Sequence, residues 1–237
     1  RTAYLKVKYP KEFMAAILTS VIGEEGKTNI YVNECNRLNI PVVPPHVNIS
    51  SESYTVSGGK VVFSLLGIKN LGRGLIRRIE NERNENGEFK SYWDFCKRVY
   101  STDLNRRALE CLVKSGALDN LGLNRREMLL NIDTVMACAA KENDLYSGGQ
   151  LDLFSSVGME SDVSSEPEFR RCEDFPKSEL LGYEKEVSGL YFSGHPLEKY
   201  AARINKISTL KTSDLIQTDD DLSVDFQEES HIGLKDN

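Results

Sequence analysis

Residues 65–74 read Leu-Leu-Gly-Ile-Lys-Asn-Leu-Gly-Arg-Gly and lead into residues 75–83, Leu-Ile-Arg-Arg-Ile-Glu-Asn-Glu-Arg. The second stretch repeats apolar side chains at helical spacing, which predicts an amphipathic helix. A tight turn at Asn70-Leu71-Gly72 opens it, because Asn and Gly enter left-handed backbone conformations more easily than other residues. Such a turn leaves the first amide N–H groups of the helix pointing outwards.

This arrangement is typical of a helix-hairpin-helix unit, in which outward amides and the helix dipole attract a phosphate of DNA. The hairpin of such units is commonly Gly, apolar residue, Gly, and here Asn70 replaces the first Gly. Leu71 is expected to pack into the core beneath the hairpin. The alternative is an ordinary glycine turn at a helix end. The predicted DNA-contacting residues are Lys69, Asn70, Leu71, Gly72, Arg73, Gly74 and Arg77.

A second helix-turn-helix follows a compact spacer. Residues 104–114 predict a helix with one apolar face, residues 115–119 a turn at Gly116, and residues 124–130 another helix. We interpret this as a second copy that completes a tandem helix-hairpin-helix domain. Its predicted contacts are to the sugar–phosphate backbone and therefore independent of sequence; a solvated basic helix face is the alternative. The arginines concerned are Arg106, Arg107, Arg125 and Arg126.

Charge is distributed unevenly along the 237 residues. The net charge is −6, yet residues 60–130 hold 14 Lys and Arg against 9 Asp and Glu, a net charge of +5. Residues 131–237 carry −12. A basic centre followed by an acidic tail indicates a DNA-facing unit and then a segment that avoids DNA.

Local signals outside the basic centre are mainly helical. Residues 2–22 and 28–38 predict short helices, and the prolines of residues 40–48 predict an extended connector. The Gly58-Gly59 turn between two β-prone triplets predicts a two-residue β-hairpin. Helical pattern returns at residues 178–187 and 196–204. The predicted fold class is mainly α: a helical portion, the tandem domain, one small β-hairpin and a flexible linker.

The linker contains a short motif, Gln150-Leu151-Asp152-Leu153-Phe154, within a Ser-, Gly- and acid-rich stretch. Gln-x-x-apolar-aromatic resembles the peptide by which bacterial proteins bind the sliding clamp. In that mode Leu153 and Phe154 fill an apolar pocket, Gln150 forms a hydrogen bond at its rim, and Leu151 supports the extended backbone. The alternative is a short strand or helix cap that packs on its own domain.

Composition excludes several classes. Hydrophobic residues are 40% and charged ones 28%, and no apolar run is long enough for a bilayer span. Five scattered cysteines without a CxxC pair predict small buried hydrophobic residues in a reducing cytoplasm, with no disulfide framework and no zinc site. We find no carboxylate pair suited to two-metal phosphoryl transfer, so we expect no catalytic residues, metal or cofactor in this stretch.

Read in order, many short motifs resemble the bacterial replicative polymerase family of DNA polymerase III alpha subunits. Residues 2–215 carry the resemblance. Its main motifs are Tyr9-Pro-x-Glu-Phe-Met, Glu34-Cys-x-Arg-Leu, Ile40-x-Val-x-Pro-Pro-x-Val-Asn48, the residue 68–74 hairpin, Phe89-x-Ser, Asn105-Arg, Ser115-Gly-Ala, Gln150–Phe154 and Ser193-Gly-His-Pro-Leu197.

The resemblance implies five regions. Residues 1–62 would be a distal fingers portion, 63–132 the tandem DNA-binding domain, 133–165 the clamp-binding linker, 166–215 a helical segment leading to an OB-fold, and 216–237 a poorly ordered or truncated start of the next domain. It also implies a cytoplasmic parent enzyme that extends primers with Mg²⁺ and assembles with other holoenzyme subunits. A non-enzymatic, clamp-recruiting DNA-binding adaptor and an error-prone paralogue of the polymerase remain alternatives.

Overall fold

The computed structural model describes residues 2–147 and 166–200. The chain divides into a large unit, Arg1–Gly194, and a second unit, His195–Asn237. The described part of the second unit, residues 195–200, contains a 3-10 turn over Glu198–Tyr200. Across the described ranges, every helix is too short or too polar to cross a lipid bilayer.

Three helices begin the large unit: α1 (Thr2–Lys8), α2 (Pro10–Ser20) and α3 (Glu25–Arg37). Pro10 occupies the first turn of α2, where its missing N–H costs no intrahelical hydrogen bond. The α2 helix buries Met14 and Leu18 against the rest of the molecule. By contrast, α1 buries none of its side chains.

A three-stranded sheet packs beside α2. The predicted β-hairpin is confirmed: β2 (Thr55–Ser57) and β3 (Lys60–Val62) pair antiparallel around the Gly58-Gly59 turn, where both glycines have positive φ. The prediction of an isolated hairpin is corrected by β1 (Val42–Val43), which pairs parallel with β3. Part of the proline-rich connector is therefore a strand.

The basic centre forms the next layer. A 3-10 turn (Leu65–Gly67) leads through the predicted hairpin into α4 (Arg73–Asn86), followed by α5 (Tyr92–Val99), α6 (Arg106–Lys114) and α7 (Arg125–Leu130). Apolar faces of these helices meet in one core that continues into the sheet and α2. Cys35, Cys96 and Cys111 are small buried side chains, as predicted, whereas Cys138 and Cys172 are only half-buried.

The predicted linker begins later than residue 133. Ile132–Ser147 form α8, which buries Val135 and Ala139 against α5 and α6. Burial of that apolar stripe stabilises a helix over residues that were expected to form a linker. Gln150–Phe154 lie outside the described residues.

Residues 166–176 run extended along α7. The Asn131 side chain accepts a hydrogen bond from the Arg170 N–H at 3.0 Å and donates to its carbonyl at 3.1 Å, while Glu127 accepts from the Cys172 N–H at 3.1 Å. The chain then forms α9 (Lys177–Ser188), which packs on α6. The prediction of a separate segment beyond residue 166 is thus corrected, because residues 166–194 belong to the same unit as the tandem domain.

Taken together, the described residues are mainly helical with one small sheet, which confirms the predicted fold class. The predicted boundary at residues 62–63 does not separate two bodies. Phe63 is buried and packs edge to face on Tyr54 at 5.1 Å between ring centroids, so the sheet and the 3-10 turn share one core.

Candidate nucleic-acid interface

The hairpin at residues 70–72 has the backbone that its sequence predicts. Asn70 has φ 62°, in the left-handed region, and Gly72 precedes α4 with φ −84° and ψ 153°. Leu71 is 7% exposed and belongs to the core, which confirms its predicted role as the apolar peg. Its neighbours Asn70 and Gly72 are exposed, so the hairpin presents its backbone to solvent.

The start of α4 has no side-chain cap. By contrast, α5, α6 and α7 are capped by Ser91, Asn105 and Asn124, each of which accepts a hydrogen bond from a backbone N–H of the first turn. Uncapped N–H groups at a helix start carry partial positive charge and are available to an anion. The α4 start is therefore the helix end in this region best suited to a phosphate.

A second loop lies directly against this hairpin. The start of α4 is close to the loop before α6, because a Cβ atom on Gly74 would lie only 2.6 Å from Oδ2 of Asp103. The Asn70 side-chain amide also donates to Sγ of Cys111 in α6 at 3.3 Å. The structure thus brings together the hairpin and the loop that precedes α6.

The predicted second turn, at Gly116, plays a different part. It forms with φ 82°, but its N–H groups are used internally: Gly116 donates to Val113, and Ala117 donates to Leu112. A Cβ atom on Gly116 would lie 2.3 Å from Nη2 of Arg125. This turn faces a buried arginine, so the loop before α6 replaces it as the second candidate contact.

The predicted contact residues divide by exposure. Leu71 and Arg125 are buried, and the others are exposed. The exposed ones are Lys69, Asn70, Gly72, Arg73, Gly74, Arg77, Arg106, Arg107 and Arg126.

Arg125 corrects the sequence prediction, because it is 5% exposed and bound inside the protein. Its Nη2 atom lies 2.7 Å from Asp119 and 3.0 Å from Glu184. Burial lowers the pKa of the guanidinium, but hydrogen bonds to these carboxylates outweigh burial and raise it overall. Arg125 therefore serves the fold, whereas its neighbour Arg126 is on the surface with its guanidinium 5.6 Å from the Phe175 ring centroid.

Several exposed arginines already contact carboxylates. Arg73 Nε is 3.0 Å and Arg77 Nε 3.7 Å from the carboxylate of Glu52. Arg106 pairs with Asp133 and, at 3.1 Å, with Glu110, and both carboxylates raise its pKa. Sequence reasoning missed Glu52, since only the fold brings it next to α4.

Lys69 is held at the other side of the hairpin by α9. Its backbone N–H donates to the Val187 carbonyl at 2.9 Å, and its Nζ donates to the Glu186 carbonyl at 2.7 Å. The C-terminal end of α9 therefore fixes the position of Lys69, the residue immediately before the hairpin. Among the described residues, no group of three or more His, Cys, Asp or Glu side chains is placed to hold a metal ion.

Comparison with known proteins agrees with this geometry. A family model described as a helix-hairpin-helix motif matches residues 39–128, which include both the hairpin and the loop before α6. Curated relatives match more of the chain. DNA polymerase III subunit alpha of Bacillus subtilis is 40% identical over 205 residues, which are 85% of this chain and 18% of that protein.

Proteins of the same name from other bacteria show similar matches. The Thermus aquaticus protein is 38% identical over 200 residues, and the Borreliella burgdorferi protein 36% over 210 residues, with 84% and 89% of this chain covered. The chain spans less than a fifth of the length of these relatives. Over most of its length, the chain is therefore related in sequence to one segment of DNA polymerase III subunit alpha, and it contains a helix-hairpin-helix motif.

Proposed function

We propose that this chain is the part of a replicative DNA polymerase alpha subunit that holds the backbone of duplex DNA. The observation that carries the proposal is the uncapped start of α4 behind the Asn70–Gly72 hairpin. Exposed N–H groups at that position suit a phosphate oxygen, and the neighbouring loop before α6 adds a second contact. Such contacts do not read base sequence.

The flanking cations support the same reading. Arg73 and Arg77 lie one helical turn apart on α4, with side chains 65% and 67% exposed, so both can turn towards a phosphate. Arg106 and Arg107 begin α6 beside the second loop. We expect Lys69 to contribute less, because its Nζ already donates to a carbonyl of α9.

Relatives favour a polymerase segment over a free-standing adaptor. A DNA-binding adaptor would need to resemble the polymerase only across the helix-hairpin-helix motif, which is matched at residues 39–128. The polymerase relatives instead match 84–94% of the chain. Primer-extension fidelity of the whole enzyme distinguishes a replicative polymerase from an error-prone paralogue.

DNA binding by the full 237-residue chain tests the proposal. Fluorescence anisotropy with a labelled duplex should show an affinity that falls as salt rises, with a log–log slope set by the number of phosphates contacted. The variant Arg73→Ala/Arg77→Ala should reduce that slope by about two, since each phosphate contact contributes about one.

A matched control removes two exposed cations elsewhere. Lys27→Ala/Arg37→Ala makes the same change in net charge on α3, where both side chains pair with glutamates. It should leave the slope nearly unchanged. Equal losses in the two double variants would show that only net charge matters and would overturn the placement of DNA on this surface.

We further propose that Gln150–Phe154 tether the protein to the sliding clamp. Support comes from the sequence, in which Leu153 and Phe154 follow Gln150 at the spacing of clamp-binding peptides. A tether raises the local concentration of the polymerase at the primer end, so modest peptide affinity prolongs synthesis. Biolayer interferometry of the chain against purified clamp should lose its signal with Leu153→Ala/Phe154→Ala. Val157→Ala/Met159→Ala, in the same segment, should retain it.

The relatives' name, DNA polymerase III subunit alpha, suggests the activity of the whole protein. We propose that the whole protein extends primers with Mg²⁺ in the cytoplasm together with other holoenzyme subunits. This chain would bind the duplex and contribute no catalytic residue. A primer-extension assay with Mg²⁺ and deoxynucleotides should show no product with the chain alone. Extension at a rate that follows its concentration would overturn that assignment.

A further inference from the structure

Glu52 lies at the centre of the candidate DNA surface although it is acidic. Its Oε1 is 3.0 Å from Nε of Arg73, and its Oε2 is 3.7 Å from Nε of Arg77. One carboxylate therefore contacts both arginines that flank the start of α4. The two arginines reach it from the same face of the helix, since they are four residues apart.

The backbone of Glu52 is held in place. Its N–H donates to Oε1 of Glu80 on α4 at 2.8 Å, and its carbonyl accepts a hydrogen bond from the buried hydroxyl of Ser64. Ser64 also caps the 3-10 turn that leads to the hairpin. A shift of the Glu52 backbone away from α4 would therefore break its hydrogen bonds with Glu80 and with Ser64, the residue that caps the 3-10 turn before the hairpin.

The arginines are freer than the glutamate. Their side chains are 65% and 67% exposed, whereas that of Glu52 is 27% exposed. An exposed ion pair of this kind is weak, because water and salt screen it and the long side chains lose entropy in forming it. Arg73 and Arg77 can therefore leave Glu52 for a stronger anion while Glu52 stays in position.

We propose that Glu52 is an internal competitor of the DNA phosphate and that it limits the affinity of this surface. In the free protein its carboxylate holds the two arginines, and on binding the phosphate must displace that carboxylate from both of them. The inference rests on the proposed function. Glu52 would thereby keep the affinity of this surface for the DNA backbone low enough for the duplex to slide along the protein.

The variant Glu52→Gln tests this in the full chain. It removes the charge but keeps the side-chain size and the backbone contacts, so thermal unfolding should change little. Duplex affinity at low salt should rise about three-fold, the ratio that corresponds to a surface ion pair of modest strength. Glu85→Gln, an exposed carboxylate two turns further along α4, is the matched control and should change affinity much less.

The same substitution in the Arg73→Ala/Arg77→Ala background separates the mechanism from a general charge effect. If Glu52 acts by holding the arginines, its removal there should gain almost nothing. An equal gain in both backgrounds, or no gain in the native background, overturns the inference. Failure of the proposed function gives a different result, because Arg73→Ala/Arg77→Ala would then bind DNA as well as the native chain.

Discussion

The guanidinium of Arg125 lies 3.0 Å from the carboxylate of Glu184, and the two side chains are 6% and 0% exposed. The pair joins α7 to α9 across 59 residues of sequence. Glu184 also accepts hydrogen bonds from the N–H groups of Phe192 and Ser193 at 2.7 and 3.0 Å. Both charged groups are therefore satisfied by ion pairs and hydrogen bonds inside the protein.

Loss of this pair should strongly destabilise the fold. Arg125→Ala leaves Glu184 buried with its charge uncompensated, which typically costs about 3–5 kcal/mol of unfolding free energy. Urea denaturation followed by circular dichroism measures it. Arg126→Ala, at the adjacent exposed position, should cost less than about 1 kcal/mol. Similar costs for the two variants would contradict the burial of Arg125.

Gly67 should tolerate no side chain, because a Cβ atom there would lie 2.8 Å from two ring carbons of Phe63. Phe63 is 1% exposed and packs edge to face against Tyr54 and Phe192, so a shift of its ring would disturb both aromatic contacts. We expect Gly67→Ala to lower the unfolding free energy by about 1–3 kcal/mol, as overpacking of a core does. A change in the midpoint of urea unfolding with an unchanged slope would report it.

Gly72 offers the opposite case in the same loop. No atom beyond its chain neighbours lies within 4 Å of an added Cβ, and its φ of −84° suits any residue. Gly72→Ala should therefore keep the stability of the native chain yet weaken duplex binding several-fold, because the methyl group would keep a phosphate from the α4 amides. Unchanged affinity in the anisotropy assay would place the phosphate elsewhere.

Local chemistry explains which features could be predicted from sequence. The Asn70–Gly72 hairpin and the Gly58-Gly59 turn depend on residues that tolerate positive φ, and such residues are visible in the sequence itself. The two-residue strand β1 was not predicted because its partner β3 is 19 residues away and the pairing is parallel. No local sequence pattern predicts a two-residue strand of this kind.

The same reasoning explains the errors at the candidate site. Arg125 and Arg126 are adjacent and chemically identical, so only their partners at positions 119, 184 and 175 distinguish a buried arginine from an exposed one. Residues 133–147 were predicted to belong to a linker, but they form most of α8, which buries Val135 and Ala139 against α5 and α6. Long-range contacts decide both cases.

His46 should make stability depend on pH between about 7.5 and 5.5. Its Nδ1 accepts a hydrogen bond from the Asn48 N–H at 3.0 Å, and its Nε2 lies 3.0 Å from the Asn120 side chain. Burial lowers its pKa below the usual 6.5. The unfolded chain therefore binds the proton first, so His46 favours folding fully above pH 6.5 and this contribution is lost as pH falls through the folded-state pKa.

Urea unfolding of the native chain and of His46→Gln at pH 7.5 and 5.5 checks this sign. The native chain should lose more unfolding free energy over that range than the variant, because glutamine has no proton to take up. A native chain that becomes more stable on acidification relative to His46→Gln would mean that the folded protein favours the imidazolium. The Asn48 N–H could not then donate to Nδ1, since a protonated ring carries hydrogen on both nitrogens.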